Sequence, residues 1–133
     1  CPFAAHIRKT NPRADLEGLT PPISIQAQRI MRRGIQFGPE VTQLERMEGK
    51  TLNERGLLFA CYQASIANGF AFIQEKWANN PKFPFGETTP NVPGLDPIIG
   101  QGNRQLTGTD PNNPATVLPM AAFVIPRGGE YFF

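Results

Sequence analysis

Gly56-Leu-Leu-Phe-Ala-Cys-Tyr62, followed after Gln63-Ala64 by Ser65-Ile-Ala-Asn-Gly-Phe-Ala-Phe-Ile-Gln-Glu-Lys-Trp-Ala78, is the stretch that decides the fold. Its first part is a short continuous apolar run, which is typical of a strand buried on both faces. Its second part predicts a helix over residues 66–78, with Ser65 as the N-cap and Asn79-Asn80-Pro81 as the stop. A strand that leads directly into a helix indicates a mixed fold.

The predicted helix carries an apolar stripe at helical spacing, formed by Ile66, Phe70, Ile73 and Trp77. We expect the first three side chains to lie in the core. Trp77 lies at the last turn, and the sequence leaves open whether it is packed or partly exposed.

Further strands are predicted on both sides of this stretch. Residues 28–37 favour a strand or a strand with a turn, and Gly38-Pro39 ends it. Residues 121–125 form a second candidate for a buried strand, and residues 130–133 return as a last strand after a Pro-Arg-Gly-Gly turn. Three or four strands with one clear helix predict an α+β fold, as in half of an α+β sandwich.

The remaining segments contain no clear periodicity. Residues 1–22 are expected to be irregular because prolines and Gly18 interrupt them. Residues 40–56 are charged and predict a surface loop with at most one helical turn. Residues 81–116, rich in Pro, Gly, Asn and Thr, predict a long loop, and loops of this length are usually functional or disordered.

Length and charge exclude some classes of function. The 133 residues suit a single domain over 1–133, and the net charge of +2 does not by itself indicate nucleic-acid binding. No apolar run approaches the roughly 18 residues that span a bilayer, so no membrane partner is expected. Because the chain opens inside a motif-like segment without a starting methionine, we interpret it as a fragment of a longer protein.

His6 is the only histidine of the chain, and Arg8, Lys9 and Arg13 follow it closely. One imidazole cannot build a multi-histidine metal site. It can be the single protein ligand of a haem iron, because the porphyrin supplies four nitrogens. The nearby cations could then pair with haem propionates. The alternative is a packing histidine beside a solvated cationic face.

Several segments, taken in order along the chain, resemble the fungal dye-decolorizing peroxidases, a family of haem peroxidases. They are Cys1-Pro-Phe-Ala-Ala-His-Ile-Arg-Lys-Thr-Asn-Pro-Arg13, Ile30-Met-Arg-Arg-Gly-Ile-Gln-Phe-Gly38, Gly56-Leu-Leu-Phe-Ala-Cys-Tyr-Gln63, Phe70-Ala-Phe-Ile-Gln-Glu-Lys-Trp-Ala-Asn-Asn80, Asp96-Pro-Ile-Ile-Gly-Gln101 and Phe123-Val-Ile-Pro-Arg-Gly-Gly-Glu-Tyr-Phe132. The resemblance is to the C-terminal half of the family's proteins. It implies a ferredoxin-like half of a two-domain fold that holds haem between its halves.

The resemblance implies a role for each matching residue around the iron. His6 resembles the proximal axial ligand of the haem iron, and Asp96 resembles the carboxylate that hydrogen-bonds its other nitrogen. Without the resemblance, Asp96 before Pro97 would be only a turn residue. Arg32 resembles the distal arginine, with Arg33 as the second choice. Its guanidinium would stabilise negative charge as the peroxide O–O bond breaks.

Other roles implied by the resemblance concern access, anchoring and electron transfer. Leu57 and Phe59 would line the distal pocket, unless they are simply core residues. Arg13, with Arg8 as a second candidate, would pair with a haem propionate. Trp77 resembles the surface tryptophan that relays electrons from bulky substrates, and its alternative is a packing role.

The implied function is a secreted, haem b-dependent peroxidase, an oxidoreductase that oxidises dyes and phenolic compounds with hydrogen peroxide. The family's distal acid belongs to a Gly-x-x-Asp-Gly motif, which this sequence does not contain. That acid is expected in the missing N-terminal half, which is therefore a partner of this chain, and the chain alone is expected to be inactive or very weak. The alternatives are a non-catalytic fragment, a haem-binding module, or an iron-extracting relative of the same fold.

Overall fold

The computed structural model of the chain describes residues 1–84 and 91–133. Its helices are α1 (His6–Thr10), α2 (Ala14–Glu17), α3 (Gln43–Glu48) and α4 (Phe70–Phe72), with a 3-10 turn at Gln26–Gln28 and a π-helix at Ile73–Ala78 that continues α4. Its strands are β1 (Ile30–Arg32), β2 (Ile35–Phe37), β3 (Gly56–Leu58), β4 (Cys61–Gln63), β5 (Arg104–Leu106) and β6 (Leu118–Met120). This mixture of short helices and strands confirms the predicted α+β class. The described chain divides into unit 1 (Cys1–Arg29 and Gln63–Phe133) and unit 2 (Ile30–Tyr62).

Unit 1 contains the apolar core, in which the π-helix packs against α1. Burial of apolar area is the main favourable term in folding, so these contacts decide where α1 lies. A two-stranded antiparallel sheet pairs Arg104 with Met120 and Leu106 with Leu118. Among the residues that the structure describes, the buried aliphatic and aromatic side chains are Ala4, Leu16, Ile25, Ile73, Trp77, Ala78, Phe83 and Leu106.

The helix predicted from Ile66 begins only at Phe70, after a turn. The Gln63 side chain explains the start, because its Oε1 accepts the Phe70 backbone N–H at 2.7 Å. Ser65 caps the preceding turn instead, with its Oγ accepting the Asn68 N–H at 3.3 Å. Ile73 is buried as predicted, whereas Ile66 and Phe70 are only half-buried.

The irregular opening predicted for residues 1–22 is wrong, because α1 and α2 lie within it. Pro12 follows α1 and does not interrupt it. The helix ends before Asn11, and a residue that precedes proline is disfavoured in the helical region. Thr10 Oγ1 donates back to the His6 carbonyl at 2.9 Å, which closes the single turn.

Unit 2 is built from short strands. β2 and β3 are antiparallel, with Phe37 opposite Gly56, and β1 pairs with β4, whose Cys61 and Tyr62 belong to this unit. The strand-plus-turn prediction for residues 28–37 is confirmed by β1 and β2. The prediction that residues 56–62 are one strand buried on both faces is wrong, because the run forms β3 and β4, and Leu57 is 59% exposed.

The segment predicted as a charged loop contains α3, which has a complete set of end signals. Thr42 and Glu45 form a reciprocal capping box, and Gly49 ends the helix with a left-handed φ of 61° that a glycine adopts without strain. Glu45 is buried, and its carboxylate also accepts hydrogen bonds from the Leu52 and Asn53 N–H groups and from both Nη groups of Arg55. One side chain therefore connects both ends of the 42–55 segment by hydrogen bonds.

Glu45→Gln is expected to destabilise unit 2, whereas Glu48→Gln on the exposed side of the same helix is expected to change little. The bonds from Arg55, then those from Thr42 and Asn53, hold the pKa of Glu45 far below its usual range against the effect of burial, and the Leu52 bond adds to this. A depressed pKa stabilises the fold above the unfolded value of about 4.3 and the stabilisation is lost as the pH falls below it. Urea unfolding of the full-length protein between pH 3 and 7 measures both effects. An acid dependence that is the same in Glu45→Gln and in the parent protein would contradict this role.

The C-terminal third differs from the prediction in position more than in kind. The predicted loop over 81–116 contains β5, and its residues 85–90 lie outside the described residues. β6 precedes the strand predicted over 121–125, and residues 121–133 are irregular with exposed apolar side chains such as Phe123. The β-branched and aromatic residues at 121–125 predict a strand there, but β5 pairs with residues 118–120 instead. In the described ranges, no helix is long and apolar enough to cross a membrane.

Candidate functional site

His6 opens α1 and is held by a carboxylate that lies 90 residues further along the chain. Its Nδ1 lies 2.9 Å from Asp96 Oδ2. The Asp96 side chain is fully buried, while 34% of the His6 side chain is exposed. The histidine therefore has one ring nitrogen fixed from inside unit 1 and a face that reaches the surface of the unit.

Asp96 is fixed by its own loop. Its Oδ1 accepts the backbone N–H groups of Ile98 and Ile99, each at 2.8 Å, so the other oxygen is left for the imidazole. Burial alone would raise the pKa of Asp96, but the bonds from His6, Ile99 and Ile98 and the charge interaction with His6 outweigh it, and the pKa is lowered. An ionised Asp96 keeps the proton on His6 Nδ1. In the tautomer with the proton on Nδ1, a neutral imidazole has an unprotonated Nε2, which is the atom that can bind a metal ion.

Arg104 supports the Asp96 loop from behind, and sequence analysis missed it. Its buried guanidinium donates to the Gly100 carbonyl at 2.8 Å, to the Pro97 carbonyl at 3.3 Å, and to the Val124 carbonyl at 3.1 and 3.2 Å. All three acceptors are backbone carbonyls. The loop that carries Asp96 is thus held by a fork of charge-assisted hydrogen bonds. No pattern of residue types around Arg104 indicates this position.

Lys9 is buried, although the sequence places it in a cluster of cations that were expected to be solvated or to bind an anion. Its Nζ donates to the Asn80 carbonyl at 2.6 Å and to the Trp77 carbonyl at 3.2 Å. Burial lowers its pKa to about 8, and the charge of Asp96 opposes that change. Lys9 therefore belongs to the interior of unit 1 and joins α1 to the end of the π-helix.

The two predicted propionate partners, Arg8 and Arg13, differ in their surroundings. Arg8 forms a bidentate pair with Asp15, at 2.8 Å from Nε and 2.7 Å from Nη2, and its guanidinium lies 5.4 Å from the centre of the Phe3 ring. Arg13 is exposed and has φ 40° with ψ −115°, a conformation that glycine favours. Such a backbone costs about 1–3 kcal/mol and is found mainly at functional sites. The strained backbone therefore favours Arg13 over Arg8 as the functional residue of the two.

Trp77 is only 6% exposed, so of the two alternatives that the sequence left open, a surface and a packing tryptophan, its burial favours packing. Phe83 folds back after Pro81 and stacks on the indole, with ring centres 5.2 Å apart and planes at 8°. Phe72 meets the indole edge-on at 5.5 Å. The indole is the middle member of three packed aromatic rings, and it lies directly beneath the surface.

The predicted distal residues Arg32, Leu57 and Phe59 all belong to unit 2. Arg32 ends β1 and is exposed, Leu57 lies on β3, and Phe59 follows β3 with 41% of its surface exposed. The turn after Arg32 lies against the β3–β4 connection, because the Arg33 N–H donates to the Ala60 carbonyl at 2.7 Å. This bond joins the residues that follow Arg32 and Phe59, and the exposure of all three side chains shows that none of them is a core residue of unit 2.

Residues 1–84 and 91–133 contain no group of three His, Cys, Asp or Glu side chains that could hold a metal ion. No hydrogen bond to His6 Nε2 occurs within the same described part of the chain. Any metal at this position would thus have His6 as its one ligand from the described residues, with the other ligands supplied by a bound group such as a porphyrin.

Known proteins are similar to this chain over its whole length. Residues 1–83 match the family model described as Dyp-type peroxidase, C-terminal. A dye-decolorizing peroxidase of Auricularia auricula-judae is 54% identical over the whole chain, which spans 27% of that relative, and one of Exidia glandulosa is 52% identical over the whole chain, which spans 25% of it. A crystal structure of a decolorizing peroxidase from Auricularia auricula-judae superimposes on 97% of the chain with a TM-score of 0.86 and 50% identity, and the chain covers 30% of it.

The structural likeness confirms the predicted fold class, an α+β, ferredoxin-like half of the dye-decolorizing peroxidase fold. The chain spans less than a third of the length of the relatives it matches. The family model covers more than half of the chain and includes His6, Arg32, Leu57 and Trp77. On these grounds, the chain belongs to the Dyp-type peroxidase family.

Proposed function

We propose that this chain is the haem-ligating part of a peroxidase that uses hydrogen peroxide to oxidise dyes and phenolic compounds. The observation that carries the proposal is the hydrogen bond between His6 Nδ1 and the buried carboxylate of Asp96. Histidines that bind metals almost always donate their other ring N–H to such a partner, which fixes the tautomer and makes the ring more basic. The proposed cofactor is haem b.

The residues present fit a haem group. The Asp96 carboxylate turns the donor Nδ1–H inward, so Nε2 is the ring nitrogen available to iron. Arg13, the exposed and strained residue directly before α2, is our choice for a propionate partner, and Arg8 is the second candidate although Asp15 already binds it. When bound, haem supplies the oxidation-reduction chemistry with peroxide.

The side chains of this protein would prepare and control that chemistry. His6, oriented by Asp96, would hold the iron and set the electron donation to it. Arg32 would hold negative charge on a peroxide oxygen with a permanently charged guanidinium. Leu57 and Phe59 would restrict access to the distal side. Trp77, covered by Phe72 and Phe83, would pass electrons from substrates that are too large to reach the haem.

An absorption spectrum and a turnover assay of the full-length protein test the proposal. We expect a ferric haem Soret band and steady oxidation of a dye and of a simple phenol that requires hydrogen peroxide. Omission of peroxide and use of the haem-free protein are the controls. Bound haem without peroxide-dependent turnover would favour a haem-binding module, and absence of haem from the reconstituted full-length protein would overturn the proposal.

Asp96→Asn is expected to weaken haem binding or turnover by about 10–100-fold, which is typical when the partner of a metal-bound histidine is lost. The amide cannot accept the Nδ1–H with a negative charge, so the imidazole becomes less basic and the ferric/ferrous potential rises. Asp110→Asn is the matched control, because Asp110 also precedes a proline and also accepts a backbone N–H two residues later. Spectroelectrochemistry measures the potential. An unchanged potential in Asp96→Asn would contradict the assigned role.

A further inference from the structure

The strongest unassigned feature of the chain is the buried amine of Lys9. The residue is 0% exposed, and both hydrogen-bond acceptors of Nζ, the carbonyls of Trp77 and Asn80, are neutral backbone groups. Taking an ammonium group out of water is costly unless it is well hydrogen-bonded. A solvated lysine avoids this free-energy cost, so the burial of Lys9 indicates a specific role for its side chain.

The two carbonyls show what Lys9 holds. Trp77 belongs to the π-helix, and Asn80 follows its end, where backbone carbonyls have no partner within the helix. A lysine that binds such carbonyls fixes the end of the helix. Since Lys9 stands on α1, its side chain connects the helix of His6 to the segment that carries Trp77.

Lys9 also controls the surroundings of the indole. Its Nζ lies 5.9 Å from the centre of the Phe83 ring, and Phe83 is the ring that stacks on Trp77. The Phe83 N–H donates to the Asn80 carbonyl, which is the same carbonyl that Lys9 binds. The ammonium group therefore fixes both the backbone at Trp77 and the ring that covers it.

The third observation concerns Asp96, which no hydrogen bond or ion pair within the described residues joins to Lys9. The charges of Lys9 and Asp96 interact, and the Asp96 N–H donates to the Ala78 carbonyl at 2.9 Å, next to Trp77. Lys9 follows His6 by three residues in α1, a spacing at which helical side chains are neighbours. Asp96 is thus bonded to the imidazole of His6 and lies in the field of the Lys9 ammonium.

We propose that Lys9 is a positioning residue shared by the two electron-transfer groups, because it ties the helix of His6 to the Trp77–Phe83 stack and supplies the cation that acts on Asp96. The inference rests on the proposed function, in which His6 binds haem iron and Trp77 relays electrons. It assigns no contact between Lys9 and substrate or haem. Its effect is exerted through Asp96 and through Trp77.

Three substitutions in the full-length holoprotein separate the charge from the hydrogen bonds. Lys9→Met removes both, Lys9→Gln keeps a donor without charge, and Lys9→Arg keeps both in another shape. Lys82→Met, at an exposed lysine of unit 1, is the control. The ferric/ferrous potential is measured for each, together with kcat for a bulky dye and for a small phenol.

Loss of a cation disfavours the added electron, so we expect a lower potential in Lys9→Met and Lys9→Gln, recovery in Lys9→Arg, and no change in Lys82→Met. We expect kcat for the bulky dye to fall by about tenfold or more in Lys9→Met, since small displacements of a positioned group are costly. The small phenol should be affected less. If Lys9→Met fails to fold, the potentials and kcat values of Lys9→Gln and Lys9→Arg are compared instead.

Two results would overturn the inference. One is a ferric/ferrous potential in Lys9→Gln equal to that of the parent protein. The other is equal potentials in Lys9→Gln and Lys9→Arg, together with a kcat for the bulky dye equal to that of the parent protein. The spectrum of a His6→Ala variant, recorded in parallel, keeps this failure separate from that of the proposed function. If His6→Ala loses the ferric haem spectrum while the Lys9 variants match the parent, only the role of Lys9 is wrong. If His6→Ala keeps the spectrum, the proposed function itself fails.

Discussion

His6→Ala in the full-length protein is expected to abolish the parent ferric haem spectrum and all peroxide-dependent turnover. His6 is the sole histidine of this chain, and Asp96 already orients its Nδ1, so alanine removes both the proposed ligand atom and the partner of a fully buried carboxylate. Soret absorbance against total haem measures the loss. Ile7→Ala, at the adjacent and exposed position of α1, is the control for the helix itself.

Added imidazole provides the sharper part of this test. A small imidazole that enters the space left by His6→Ala can bind iron and accept orientation from Asp96. We therefore expect partial recovery of the ferric spectrum with imidazole and none with a bulky amine of similar basicity. A parent spectrum in His6→Ala without imidazole would sink the assignment of His6 as the axial ligand.

Arg32→Leu is expected to slow the reaction with hydrogen peroxide by about 10²–10³-fold, the usual loss when one donor that stabilises developing negative charge is removed. The ferric spectrum and the haem content should stay unchanged, because Arg32 is not proposed to bind haem. Stopped-flow absorbance after mixing with peroxide gives the rate constant.

The neighbouring arginine makes the comparison decisive. Arg33 is exposed like Arg32, but its Nη1 donates to the Arg32 carbonyl at 3.0 Å, so its guanidinium is directed to the local backbone. Arg33→Leu should therefore have a smaller effect on the peroxide rate. A larger loss in Arg33→Leu than in Arg32→Leu would move the distal role to Arg33.

Local signals in the sequence predicted element types better than burial. The strands at residues 30–37 and the stripe that buries Ile73 were predictable from periodicity. α3 was also predictable, because Thr42 and Glu45 have the spacing of a capping box and Gly49 is a typical helix end. The charged composition of the segment indicated a loop instead. An apolar run such as residues 56–62 does not reveal what covers it: all three residues of β3 are exposed, and β4 is exposed at Tyr62 and half-buried on either side.

The site itself depends on long-range contacts that no local pattern contains. His6 and Asp96 are 90 residues apart, and only the resemblance to a family linked them. Nothing in the local sequence distinguishes Lys9 from a solvated lysine. Its burial depends on hydrogen bonds to the distant backbone carbonyls of Trp77 and Asn80. Trp77 was placed at the correct turn, yet its burial depends on Phe83, which returns after Pro81.

The bond from Arg104 to the Val124 carbonyl has a consequence for how freely the C-terminal segment can vary. The side chains of residues 123–125 are exposed, so a map of surface accessibility would mark them as replaceable. The acceptor, however, is a main-chain oxygen, and the same guanidinium holds the carbonyls of Pro97 and Gly100 beside Asp96. Almost any amino acid can therefore stand at position 124, whereas an insertion or deletion that moves its carbonyl would displace the support of the imidazole.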